Sequence, residues 1–310
     1  MAFSIVTDTS ANLDCRLLQK NRITVIPFSF YVNGQENTCT DTIGFDGRAF
    51  YGAMRAGAAV STSQITPQRY IDVIQPMLAR GEDILFVGMS SGISGSFSSA
   101  TVAAEQLRAD FPDRKFLLVD TLSASLGEGL LAVKAAQCRD AGMTIEDTWA
   151  LLDDMRHDMC QIFTVEDLKY LRNTGRLSNV AAIVGMVLNI KPLLKGDEEG
   201  KIVSIAKARG RKASIQAMAQ RYNDFVRGAG EQTIGIAHAD CEDDVRQLVS
   251  LLNAKNPPKE IMTVMYEPVT GSHVGPGTLA LFFLGDRSFR GKESGLLSTI
   301  AQKAEDIIRR

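Results

Sequence analysis

Residues Asp83 to Ala104 read Asp-Ile-Leu-Phe-Val-Gly-Met-Ser-Ser-Gly-Ile-Ser-Gly-Ser-Phe-Ser-Ser-Ala-Thr-Val-Ala-Ala, and this stretch constrains the fold more than any other. Ile84 to Val87 is an apolar run short enough for a buried strand. Small Gly and Ser residues follow, and then an Ala-rich segment that favours a helix. A strand, a tight loop and a helix start in that order place hydroxyls and free helix N–H groups at one spot, where Gly92 and Gly95 let backbone approach a ligand. Such a loop suits an anion. The competing reading is a Ser-capped helix after an ordinary strand-to-helix turn.

The same alternation runs on either side. Phe3 to Thr7 reads as a buried strand ending in Asp8-Thr9-Ser10, where open α/β sheets place ligands but where a helix cap would look the same. Ile23 to Val32 followed by Asn33-Gly34 predicts a hairpin with a type I′ turn, Pro27 favouring an edge position. Helices are expected from Asp46 and from Thr66-Pro67, the latter stopped by Gly81. Lys115 to Val119 is the next strand, and Thr144 opens another helix with Asp147 in a near capping box. Strand and helix alternating in this way imply a parallel sheet covered on both faces.

From Cys160 the pattern changes. Gln161 to Val165 is strand-like, Leu168 to Leu171 a helical turn, and Ser178 caps an apolar helix to Leu188. Ile190 to Leu194 and Ile202 to Lys207 flank Gly196-Asp-Glu-Glu-Gly200 as a hairpin. Helices from about Lys212 and Glu242 alternate with strands Thr233 to Ala237 and Glu260 to Tyr266, Leu279 to Leu284 is apolar, and a tail helix closes the chain. The 310 residues are enough for two cores, and the expectation is an α/β protein of two α/β domains. Residues 1–159 form a Rossmann-like parallel sheet with the anion-binding loop, and residues 160–310 a mixed-sheet domain.

Charge and cysteine usage narrow the function. A formal net charge of -2 without a long basic run argues against nucleic acid. Cys15, Cys39, Cys138, Cys160 and Cys241 stand singly, which predicts reduced thiols in a cytoplasmic protein with no metal site. The longest apolar stretch, Val180 to Leu188, is too short for a transmembrane segment, and no targeting segment is apparent. Gly88-Met-Ser-Ser-Gly92 matches the nucleophile elbow of serine hydrolases, and Asp240 and His273 follow Ser90 in triad order. Against that, Ile93-Ser94-Gly95-Ser96 intervenes before the helix. The loop also lacks the Lys of a mononucleotide-binding motif. Arg176, in a Gly-containing loop, and the cluster Lys207 to Lys212 read first as solvated surface.

Taken together, several short motifs resemble the DegV family of bacterial lipid-binding proteins. They are Asp8-Thr-Ser-Ala-Asn-Leu13, Thr62-Ser63-Gln64, Ser90-Ser-Gly-Ile-Ser-Gly95, Gly175-Arg-Leu-Ser178, Ile190-Lys-Pro192 and His273-Val-Gly-Pro-Gly277. Each is weak alone; their order and separation are specific. The resemblance implies two α/β domains with a long-chain fatty acid between them and no other cofactor. It implies that Thr62 and Ser94, beside Ser63 and Gly95, hold the carboxylate, and that Arg176 and His273 lie near that head group. It further implies a non-catalytic protein, similar to the acyl-carrying subunit of fatty acid kinase, that presents the carboxylate to a separate ATP-dependent kinase subunit. This chain departs from the family pattern at Ile65, where Pro is usual, at Asn173-Thr174, and in about twenty-five residues after Gly285.

Overall fold

The computed structural model describes residues 3–42, 44–178 and 189–291. The first sheet grows from β1 (Ser4–Asp8), β2 (Ile23–Ile26), β6 (Ile84–Gly88) and β7 (Phe116–Asp120), in the order β2-β1-β6-β7 with every pair parallel. Between β2 and β6 lie β3 (Ser29–Val32), β4 (Gln35–Thr38) and β5 (Val60–Ser63), which make a small antiparallel sheet of order β4-β3-β5. Asn33 and Gly34 turn β3 into β4 with φ of 51° and 83°, the left-handed pair that a type I′ turn requires. The apolar run from Ile23 to Val32 is therefore not one hairpin arm. Pro27 has no N–H to give a ladder, so the chain leaves the parallel sheet there and restarts in another.

Helices α1 (Cys15–Asn21), α2 (Gly47–Arg55), α3 (Pro67–Ala79), α4 (Ser96–Asp110), α5 (Leu126–Asp140) and α6 (Ile145–Met155) belong to this half. Their starts follow local chemistry. Asp14, Asp46, Thr66 and Thr144 each accept a backbone N–H of the first turn, and Pro67 occupies the first turn of α3, where its missing N–H is not needed. All five residues of β6 are buried, as expected of an inner parallel strand with both faces covered.

The second half has a six-stranded mixed sheet. It comprises β8 (Met159–Thr164), β9 (Ile190–Gly196), β10 (Ile202–Arg209), β11 (Thr233–His238), β12 (Glu260–Met265) and β13 (Leu279–Leu284), ordered β10-β9-β8-β13-β11-β12. Only β11 and β12 pair in parallel. Helices α7 (Lys169–Asn173), α8 (Arg211–Phe225), α9 (Glu242–Asn253) and α10 (Pro268–Val274) complete it. Side chains of this sheet alternate with the period of two that strands impose. Cys160, Ile162, Leu281 and Phe283 join Ile215, Met218, Leu248 and Leu252 of α8 and α9 in one core. Phe163, Ala280 and Phe282 face the other way, into a core continuous with β1, β6 and α5. One face of the second sheet is thus a wall of the first half. The helix expected from Ser178 to Leu188 and the tail helix lie outside the described residues.

Candidate functional site

The C-terminal ends of β1 and β6 carry two hydroxyl-rich turns with different surroundings. After β1, Ser10 Oγ lies 2.5 Å from both Asp8 Oδ1 and Glu128 Oε2, and Thr7 Oγ1 lies 2.7 Å from Val87 O and 3.0 Å from Glu128 Oε1. Val87 O can only accept, so Thr7 gives its one proton there, and Glu128 must supply the proton for its own contact with Thr7. Asp8 accepts the Ser10 and Met89 amides. Burial drives the Glu128 carboxyl well above its usual range, with the charge of Asp8 adding to the effect. Burial also raises the Asp8 carboxyl, and the four contacts close only when both carboxyls hold a proton, because Thr7 and Ser10 have one each. The Asp8-Thr9-Ser10 turn is accordingly a cap and core network.

The turn after β6 faces a cavity instead. Gly95 precedes α4 without any side-chain cap, and Ser94 Oγ sits 3.1 Å from Ser96 Oγ while accepting the Ser96 amide at 3.2 Å. Ser96 Oγ in turn accepts the Ile65 amide at 3.1 Å, which ties the turn to the end of β5. A Cβ on Gly95 would stand 2.2 Å from Gln64 Oε1, so any larger residue here would push the exposed Gln64 side chain aside. On β5, Thr62 Oγ1 lies 2.9 Å from His273 Nε2, in α10. That helix starts where Glu267 accepts the amides of Val269 and Thr270, followed by Pro268 in the first turn. Burial pushes the Glu267 carboxyl up to about 7 against those two amide bonds.

The cavity encloses about 910 Å³ of space free of protein atoms, part of it open to solvent. Thr62, Ser63, Ser94, Gly95, Arg176 and His273 all line it, so six residues scattered over more than two hundred positions share one boundary. Phe28, Met89, Ile93 and Ala124 supply apolar wall from the first half, and Phe163, Leu171, Ile202 and Phe282 from the second. Burial, and then the charge of Arg176, push His273 down to about 4. Its ring is neutral at pH 7, and Nδ1 is buried without a partner. With the proton on Nε2 it donates to Thr62 Oγ1, which frees the Thr62 O–H for something in the cavity. Arg176 is exposed, its guanidinium donating to Thr174 O. Two buried hydroxyls on the lining, Ser125 Oγ and Thr270 Oγ1, carried no sequence signal.

Ser90 does not join this boundary. It is fully buried, its hydroxyl donates to Gly200 O at 3.0 Å, and its Oγ accepts the Gly92 amide at 3.1 Å. Asp240 pairs with Arg55 and His273 with Thr62, so the three residues of the alternative hydrolase reading are each engaged elsewhere. The elbow-like glycines serve packing: a Cβ on Gly92 would stand 2.4 Å from Glu199 O. Among the described residues no group of side chains is placed to hold a metal ion, and no helix is long and apolar enough to cross a membrane.

The chain belongs to the DegV family, whose profile, described as an uncharacterised protein family, matches residues 2–286. A DegV domain-containing protein of Clostridium perfringens is 35% identical over 284 residues, covering 92% of this chain and 98% of that one. Among solved structures, a Thermus thermophilus DegV family protein described by its fatty acid binding superposes with a TM-score of 0.83 at 27% identity, covering 92% of this chain and all of that one. Bacillus subtilis DegV, described as a fatty acid binding protein, gives 0.78 at 27% identity over 92% of this chain and all of its own. The two-sheet α/β architecture is the one these proteins share with this chain.

Proposed function

We propose that this protein binds a long-chain fatty acid between two domains, residues 1–159 and 160–310, and presents its carboxylate to a separate ATP-dependent kinase subunit for conversion to an acyl phosphate. Thr62 and Ser94 hold the carboxylate, with Ser63 and Gly95 beside them and Arg176 and His273 at the head group. The protein itself is non-catalytic and works in the cytoplasm, a setting that agrees with its five unpaired thiols. The observation that carries the reading is the cavity, apolar along both walls and edged by hydroxyls whose protons can turn toward an anion. The fatty acid binding described for the Thermus and Bacillus relatives supports it.

The physics suits the role. A carboxylate leaving water needs hydrogen bonds or a cation, and two hydroxyls with the uncapped start of α4 supply donors without a metal. Each buried methylene contributes roughly 0.8 kcal/mol, so a chain of about sixteen carbons outweighs its ordering cost. Native mass spectrometry of the purified protein should show one fatty acid per chain, released on denaturation. With ATP and a cognate kinase subunit the bound acid should become acyl phosphate, and without the kinase it should persist. A chain that purifies without lipid and takes up no added oleate defeats the proposal.

A further inference from the structure

Arg290 lies four residues beyond the stretch that the family profile matches, yet it is 2% exposed and heads the fully buried side chains by size. Its donors all go to backbone carbonyls. Nη2 reaches Leu122 O at 2.7 Å and Asp197 O at 2.8 Å, Nε reaches Asp197 O at 3.1 Å, and Nη1 reaches Met159 O at 2.7 Å. Leu122 belongs to the loop between β7 and α5, and Asp197 opens the tip of the β9–β10 hairpin. The planar fork of a guanidinium holds these backbones in a fixed relative geometry.

Those two segments both hold Ser90. Ser123 O accepts the Ser90 amide at 2.8 Å, and Gly200 O, at the hairpin tip, accepts the Ser90 hydroxyl. A Cβ on Gly200 would stand 2.1 Å from Ser90 Oγ and 3.0 Å from Leu122 Cα, so the three segments are in close contact. Ser90 O then accepts the Ser94 amide at 3.2 Å. The far side of the hairpin reaches the other polar segment, where Ile202 lines the cavity and its carbonyl accepts the Ser178 amide just after Arg176 and Leu177.

We infer that Arg290 is a positioning residue of the ligand site: by tying the hairpin tip to the β7–α5 loop, it fixes the Ser90–Gly95 turn and aims the Ser94 hydroxyl into the cavity. The inference rests on the fatty acid reading, and the experiment separates the two. Release of oleate and of oleyl alcohol is followed by stopped flow from wild type, Arg290→Gln and Arg290→Lys. Loss of a donor to a charged acceptor should speed oleate release about tenfold in Arg290→Gln, leave the alcohol within about twofold, and give an intermediate value in Arg290→Lys. Unchanged oleate release, or equal acceleration of acid and alcohol, overturns the inference. If wild type binds no oleate, the fatty acid reading falls, and hydrogen exchange decides about Arg290: amides of 90–95 and 197–201 should lose protection together in Arg290→Lys. Should the variants not fold, the same two segments of wild type should open at one common rate, and separate rates overturn the inference.

Discussion

The turns after β1 and β6 are built from the same residue types at the same edge of the same sheet, and they do opposite things. Thr7 and Ser10 meet two buried carboxyl groups that consume their hydrogen-bonding capacity. Ser94, in the turn after β6, meets another hydroxyl, and Thr62, which β5 of the small antiparallel sheet brings to the same cavity, meets a neutral imidazole. A hydroxyl cluster is available to a ligand when the fold leaves it facing a cavity, and closed to one when buried carboxyls occupy it.

The sharpest way to break that contrast is to damage the closed cluster. Glu128→Ala should cost about 3–5 kcal/mol of stability in urea denaturation, because it opens a cavity and orphans buried hydroxyls. Glu128→Gln should cost far less, since the native carboxyl is already neutral, and the folded fraction of either variant should bind oleate as wild type does. Equal losses for Ala and Gln would mean that Glu128 is ionised in the fold.

The open cluster should behave the other way. Thr62→Val or Ser94→Ala should weaken oleate by roughly 1.5–3 kcal/mol, about tenfold to a hundredfold, in a displacement titration. The thermal midpoint should hardly move, and the methyl ester of oleate should change less. Similar losses for acid and ester would make these residues shapers of the cavity and nothing more.

Glu267 sharpens the comparison from a third side, as a buried carboxyl that starts the helix carrying His273. Its folded value near 7 lies above the ordinary 4.5, so the unfolded chain ionises first and this group's contribution to stability declines as pH rises from about 4.5 through 7. Glu267→Gln is free of that decline. Relative to wild type it should gain about 2.5 kcal/mol in melts between pH 5 and pH 8, and a constant difference would show that Glu267 stays in one protonation state. The smallest effect is on His273. An arriving carboxylate favours the charged ring, so NMR titration should find its midpoint raised from about 4 by about one unit when oleate is bound. No movement would place the carboxylate away from the ring.

The sequence exposed most of the scaffold because its signals were local. Thr66-Pro67 named the start of α3 and Asn33-Gly34 named a turn, each through its own backbone chemistry. The run through Pro27 misled because its apolar residues said nothing about which sheet they would join. Helix α10 escaped notice: seven residues with Gly271 inside show no clear period, although Glu267 followed by Pro268 was a legible start. The six candidate residues came from the family resemblance that the order of the motifs carries. Their meeting at one cavity, the engagement of Ser90 by Gly200 and the burial of Arg290 depend on contacts between distant segments, which no local pattern encodes.

The two-sided wall of the cavity has a consequence for the lifetime of the protein. Phe28 and Met89 on one side and Phe163 and Phe282 on the other line a space that bound acyl chain would fill, so an occupant of the folded state alone adds about 2.7 kcal/mol of stability at one hundred times its Kd. Proteases act on opened chains, and that increment lowers the opened population about a hundredfold. If the protein binds an acyl chain as proposed, its standing amount should follow the supply of acyl chains, without any transcriptional signal.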